Sequence, residues 1–441
     1  MNEDIEYNES ELGNIEEGEV AQVKKVSQST YLRLSADSNE DIKNKVSELK
    51  VKTGVELRLA LRMIVTNCLA YADKGVMNIH YSRFKASKIP KNMNKNNITV
   101  RMVIKAVDVL ESLGYVINTV ADRQYNTLKM KESSYITPTA KLFEDFGCEG
   151  NIAYSKKSIR DNTEVVILKN EDGDMIDYKD NCFTSTTRGM LQFYNTTSAK
   201  FSVEVDGAKL NTDMRCIFKI DFDSYGRMYG GSYQNMPKEL RLRVMIDGCA
   251  CAEIDLSNLH LRMVLDIYNL NHYCEHIEDL YMLPLVGFIP KEDDRKLVKK
   301  AILIMLNCNS SKSFLQAIQG DMNMNGYVTT FSSAKQLLGA LNQAYWWLLG
   351  NEAVMKNIFG GNKPLAAKLQ RLDTEISLGV SVKLAELNVM VGTIHDSYLC
   401  KQSDVLLVSN VLGDVYRRVM NVNRRVAATL SYGDNVINTL I

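Results

Sequence analysis

The stretch Cys251–Asp266, CAEIDLSNLHLRMVLD, carries the reading of the whole chain. A short apolar run delivers one carboxylate, Asp255, and a helical apolar pattern follows, with His260 five residues beyond the aspartate. The residues alone leave two roles open. An acidic side chain just ahead of a helix is commonly its cap. At the end of a strand the same carboxylate projects from the sheet edge, fixed by the backbone and able to hold a cation. The choice turns on whether a second carboxylate stands beside it.

Val389–Lys401, VMVGTIHDSYLCK, offers one. Apolar arms on either side of a polar tip predict a hairpin with His395 and Asp396 at its turn. A tip aspartate is ordinarily a turn residue. Beside a strand-end aspartate it completes the pair needed by two-metal phosphoryl transfer, whose magnesium ions lie roughly 3.5–4 Å apart. A third station is Asp293–Phe314, DDRKLVKKAILIMLNCNSSKSF, where Arg295 and Lys299 fall one helical turn apart on one face. A solvated basic face is the commoner meaning of such a pair. Here an apolar run follows and buries the rest of the helix, and cations kept beside a buried surface suit an anion such as a triphosphate.

The bulk numbers bound the answer without choosing it. A chain of 441 residues implies two or three domains, and 45% apolar with 24% charged residues is the composition of a globular protein. Lys plus Arg and Asp plus Glu balance at 53 each, so any nucleic-acid surface must be local. The nine cysteines include no CxxC pair, which argues against a zinc ribbon or dithiol motif and for reduced thiols. No run approaches a membrane span and no signal-peptide pattern opens the chain, so a cytoplasmic protein without a membrane partner is expected.

A tail and two domains are expected. Residues 1–45 open with MNEDIEYNESELGNIEEGEV, which is acidic, lacks any Lys or Arg, and reads as a disordered tail. Residues 46–145 carry, from about Val55, VELRLALRMIVTNCLAYAD, apolar all round as a buried helix is. The loop SRFKASKIPKNMNKNN, with Arg83, Lys85, Lys88, Lys91 and Lys95, leads to a helix capped by Thr99 and stopped at Gly114, then to a hairpin over YVINTVADRQYNTLKMKESSYITPT. That order is winged-helix-like and nominates Lys88, Lys91 and Lys95 for DNA contact, although such folds also dock proteins. Residues 146–441 hold the three stations.

Taken in order, the stations resemble motifs A, B and C of family A DNA polymerases and phage-type single-subunit RNA polymerases. DLSNLHLR matches motif A at Asp255, Ser257, Leu261 and Arg262; Arg295 and Lys299 match motif B; His395, Asp396 and Ser397 match motif C in the serine form of the RNA polymerases. Tyr225–Arg241, YGRMYGGSYQNMPKELR, resembles the template–primer segment and nominates Arg227, Gln234, Asn235 and Arg241; Leu369–Val380, LQRLDTEISLGV, nominates Gln370. The resemblance implies an α+β right-hand palm with reduced fingers after an α/β winged-helix-like domain. It implies two Mg2+ ions on Asp255 and Asp396, Lys299 and Arg295 on the triphosphate, and His395 positioning the primer end. The partners it implies are a DNA template, a primer or nascent RNA, and nucleoside triphosphates.

Two departures matter. His260 stands at the sugar-selecting position of motif A, and Asn307 with Cys308 replaces the motif B aromatic and glycine. Both offer hydrogen bonds to a sugar, which tilts the expectation toward ribonucleotides. The expected activity is that of a small RNA or DNA polymerase, primase-like, from a phage or mobile element. The alternative is a catalytically inactive DNA-binding replication or regulatory protein on a polymerase-like scaffold. A metal site from His272, Cys274 and His276 is disfavoured, because alternating ligands suit a strand and their surroundings look helical.

Overall fold

The computed structural model describes residues 29–49, 51, 54–72, 78–83, 89–121, 134–273, 277, 279–283, 285, 289–359, 365–432 and 435–441. The acidic opening segment, Lys85, Lys88, the middle of the expected wing hairpin, Cys274 and His276 lie outside these residues. The described chain is mixed α+β.

In the N-terminal part the helix Val55–Ala70 is buried on nearly every side. Side chains such as Leu61 and Ile64, fully removed from water, contribute roughly 1.5–3 kcal/mol each. The basic loop carries one 3-10 turn, Lys91–Met93. The helix Val100–Ser112 then begins where Thr99 accepts a hydrogen bond from the Met102 amide, and it buries Val103, Val107 and Leu110 as the spacing predicts. Val116–Thr119 and Tyr135–Pro138 pair antiparallel, the second of them against Asn78–His80, and Ser29–Tyr31 adds a parallel edge. The apolar core of this part runs from Leu34 to Ile159, so it draws on residues on both sides of the 46–145 span.

The larger sheet is organised about the strand Cys249–Leu256. On one side lies Ser397–Lys401, itself paired with Val391–Ile394; on the other, Met245–Ile246 flanks its start and Ala427–Tyr432 its end. Flanked in this way, its middle residues Cys251–Ile254 are buried, as a near-continuous apolar run dictates. The helix Leu365–Glu386 packs against the hairpin and against the helix Val405–Met420. Gly379 permits that helix contact, since a Cβ there would sit 2.9 Å from Val415 Cγ1. The segment after Leu259–Ile267 is not the expected continuous helix: it breaks at Tyr268 and resumes only as a 3-10 turn, Asn271–Tyr273. Among the described residues no helix is long and apolar enough to cross a membrane.

Candidate active site

Asp255 is not a helix cap. The cap residue of Leu259–Ile267 is Asn258, in the left-handed region at φ 58°. Asp255 is the penultimate residue of its strand, one earlier than the sequence placed it, in register with Ser397 on one side and Thr429 on the other. Ser397 Oγ donates to Asp255 Oδ1 at 2.6 Å, and the Leu256 amide donates to the Asp396 carbonyl at 3.1 Å. These bonds lock the strand end to the hairpin tip and set the two aspartates side by side.

The tip is the expected two-residue turn. Ile394 pairs with Ser397, leaving His395 and Asp396 as the loop, and His395 takes φ 56°. A positive φ at the first loop position belongs to the primed turns that match strand twist. Glycine ordinarily fills that position, so a histidine there is a strained choice.

Electrostatics single out the pair. Asp396 is pushed up to about 6 by desolvation first, then by the Asp255 and Asp373 carboxylates. Asp255 is likewise raised by burial, eased by the Ser397 hydrogen bond and by Lys238 and Lys299. The His395 imidazole is held below its ordinary range by protein packed around it and then by the Arg227 guanidinium, although the residue keeps an exposed edge. Two carboxylates that resist ionising together are the residues here that could hold a cation. The donors are hard oxygens from two residues, and among the described residues no group of three or more His, Cys, Asp and Glu could hold one ion. That donor set fits magnesium, which binds through one or two carboxylates and completes its shell with water and phosphate oxygens.

The surrounding candidates divide into free and engaged. Lys299 is exposed on the helix Asp294–Asn307, within electrostatic reach of Asp255. Arg295, one turn earlier, is already paired with Asp279 and lies over the Tyr281 ring at 5.8 Å. Asn307 is exposed, and its amide turns back to the Leu303 carbonyl at 2.8 Å. His260 reaches toward the helix Leu365–Glu386, where its Nε2 lies 3.9 Å from Asp373 Oδ2.

Of the residues nominated for nucleic acid, Gln234 bonds the Met228 and Thr393 carbonyls and the Gly230 amide, tying the Arg227–Tyr229 strand to the hairpin. Arg241 forms a two-pronged bond to buried Glu253 at 2.8 and 2.9 Å. Arg227 is half-buried, and its Nε has no hydrogen-bond partner among the described residues. Asn235 is exposed, Gln370 is half-buried, and Lys91 and Lys95 are exposed on the N-terminal loop. Sequence reasoning missed Asp373 and Tyr281. Asp373, although inside LQRLDTEISLGV, carried no signal of its own among helix polar residues. Tyr281 is buried, and its phenol is pushed up to about 12, by desolvation first and then by Asp396 and Asp279.

No protein-family model matches the chain, and no curated protein matches it. Among solved structures, the chain is similar to the POL domain of Pol1 from M. smegmatis, solved in complex with DNA primer-template and dNTP. The likeness covers 89% of this chain and 69% of that chain at 12% identity, with a TM-score of 0.33. A likeness so loose assigns no family, and the functional reading rests on the site itself.

Proposed function

We propose that the chain is a template-directed nucleotidyltransferase, a small primase-like RNA or DNA polymerase of the two-metal type. The observation that carries this is the register that sets Asp255 beside Asp396 across Ser397, both carboxylates desolvated and Asp255 within electrostatic reach of Lys299. Asp255 and Asp396 would hold two magnesium ions, which supply Lewis-acid stabilisation to the attacking and leaving oxygens.

The chain's own residues do the rest. Lys299 neutralises the triphosphate, with Arg295 a secondary cation because Asp279 already holds it. His395 at the strained tip lies against the primer end, and Tyr229, its ring 6.3 Å away edge-on, limits its movement. The terminal hydroxyl oxygen bonds to the α-phosphorus as the bond to the bridging oxygen breaks; pyrophosphate leaves, and the hydroxyl proton passes to water. Lys91 and Lys95 would contact DNA from the winged-helix-like part. Arg101 and Lys105, exposed on the helix Val100–Ser112, would add to that contact.

The test is extension of a labelled primer on single-stranded DNA with magnesium, supplying ribonucleotides and deoxyribonucleotides separately. Template-dependent product is expected, and it should vanish in Asp255→Asn and Asp396→Asn. A second reading, a DNA-binding scaffold without catalysis, is favoured by Asn307, whose amide bonds its own helix. Absence of product with and without primer, on DNA and RNA templates, would establish that reading instead.

A further inference from the structure

The sheet of the N-terminal part turns one face to the core and the other to water. Val116, Ile79 and Ile136 enter the apolar core, so the residues that alternate with them point the opposite way. On that outer face the register aligns Tyr31, His80, Tyr135 and Thr119 across the four strands. The three rings follow one another at 5.6 and 5.4 Å between centroids. Tyr31 is 59% exposed, and so is Ile117 in the next row. Cross-strand aromatic pairs commonly do no more than stabilise a sheet. Here the row lies on an open face, includes no carboxylate, and has cations gathered at its end.

Tyr31 and His80 close two parallel strands, and the Leu32 amide donates to the His80 carbonyl at 2.9 Å. The chain therefore leaves both strands at the same edge, and Arg33 and Arg83 follow there. Both are half-buried; Arg83 donates to the Tyr81 hydroxyl at 2.9 Å, and Arg33 Nε has no hydrogen-bond partner among the described residues. The basic loop is fixed to the turn that follows Tyr31. The Lys95 amide donates to Ser35 Oγ at 3.0 Å, and Asn96 Nδ2 donates to the Leu34 carbonyl at 3.1 Å, which leaves the Lys95 side chain exposed beside that turn. The acid of the turn, Asp37, is turned back on the Ser38 amide at 2.8 Å.

We propose that this face docks single-stranded nucleic acid, its bases stacking on Tyr31, His80 and Tyr135 and its phosphates meeting Arg33, Arg83 and Lys95. Exposed rings bordered by cations match a polymer that offers flat bases and anionic linkages together. An unpaired strand presents the faces of its bases, whereas a duplex keeps them inside its own stack. Stacking of this kind is tolerant of sequence, because every base has a π-face. The proposal rests on the DNA contact assigned above to this part, names the form of nucleic acid it takes, and does not depend on catalysis.

Fluorescence anisotropy of a labelled oligothymidylate, without magnesium or nucleotides, would be compared for the full chain, Tyr31→Ala, Tyr31→Phe, Tyr135→Ala and Lys95→Ala, beside a blunt duplex of equal length. The two alanine changes at tyrosine should each weaken single-strand binding on the order of tenfold, the worth of one base on one ring. Tyr31→Phe keeps the ring and should keep the affinity. Lys95→Ala should flatten the slope of log affinity against log salt by about 0.7, as loss of one phosphate contact does. Neither ring change should move duplex binding. An oligouridylate arm tells RNA from DNA, and tight binding of either strand supports the face. The cleft at Asp255 would also take a strand, so the oligomer carries one 5-iododeoxyuridine, whose photo-crosslinks should reach Tyr31, His80 or Tyr135. Crosslinks confined to the sheet around Asp255 would overturn the proposal. Unchanged affinity in Tyr31→Ala, or equal losses for single strand and duplex, would do the same. Binding of duplex alone would remove the proposal and leave the DNA contact standing; binding of neither would remove both.

Discussion

Glu253 and Asp255 stand two residues apart on one strand, and therefore on one face of the sheet, yet their surroundings differ completely. Glu253 is answered by Arg241 through two bonds. Asp266, at the far end of the next helix, is answered by Arg424 at 2.7 Å from each oxygen and by Tyr416 at 2.6 Å. Asp255 receives only a hydroxyl, and neither it nor Asp396 has an ion pair among the described residues. The fold thus shows that it can neutralise a buried carboxylate with a fitted guanidinium, and does not do so at the pair. Unrelieved charge on a strand whose neighbouring carboxylates are paired is where function is expected.

The contrast is tested most severely by removing one carboxylate from each class. Asp255→Asn or Asp396→Asn should lower nucleotide incorporation on the order of a thousandfold or more, because a metal contact is worth several kcal/mol in the transition state. The folded state should survive, as judged by circular dichroism. Arg241→Ala should do the reverse. It strands Glu253 without a cation, which costs about 3–5 kcal/mol, and urea unfolding should move to a lower midpoint. If Arg241→Ala left stability intact and abolished only DNA binding, Arg241 would be a template contact rather than the structural partner of Glu253.

Much of this was legible before any coordinate. Thr99 as a cap, the buried helix after Val55 and the two-residue tip at His395 follow from local patterns, because caps, periodicity and turns are set by neighbours in sequence. The side-by-side placement of Asp255 and Asp396 could be anticipated only by resemblance, since 141 positions separate them in the numbering and the strand pairing that joins them is not local. Three things were not legible. Arg241 and Gln234 looked like free hydrogen-bonders, and their partners, Glu253 and the Thr393 carbonyl, come from other strands. Asp373 is one polar residue among several on a helix, and its isolation becomes visible only once Leu365–Glu386 is packed behind the hairpin. The break after Ile267 was masked by a helical apolar pattern that continues through Leu270.

The same distinction between engaged and free groups applies to the two cations one turn apart. Lys299 has no ion pair among the described residues and lies within electrostatic reach of Asp255, whereas Arg295 is paired with Asp279. Lys299→Ala should therefore raise the KM for nucleotide on the order of tenfold, the loss of one charge-assisted contact. Arg295→Ala should raise it less, because its charge is already answered. Steady-state incorporation at varied nucleotide concentration checks both. A larger effect at Arg295 would mean that the Asp279 pair opens when substrate binds.

The smallest expected effect is also the most direct measure of what the bare pair costs. Asp396 in the folded protein has its pKa pushed up from 3.8 to about 6, desolvation leading and Asp255 following. A raised folded-state pKa means that the protonated form is favoured by folding. The stabilisation it brings is complete below about pH 4 and is lost as the pH rises through about 6. Without divalent ions, the Tm should therefore fall between pH 5 and pH 7 by more than it does in Asp396→Asn, which carries no charge to desolvate. At pH 7 the Asn variant should be the more stable protein, by about 1–2 kcal/mol, or a few degrees. Magnesium should raise the Tm of the unaltered protein and leave the variant nearly unmoved, since binding to the folded state alone stabilises it. A variant less stable than its parent at pH 7 in chelator would show that Asp396 is held by a contact of its own, and the contrast with Glu253 would then be one of partner rather than of purpose.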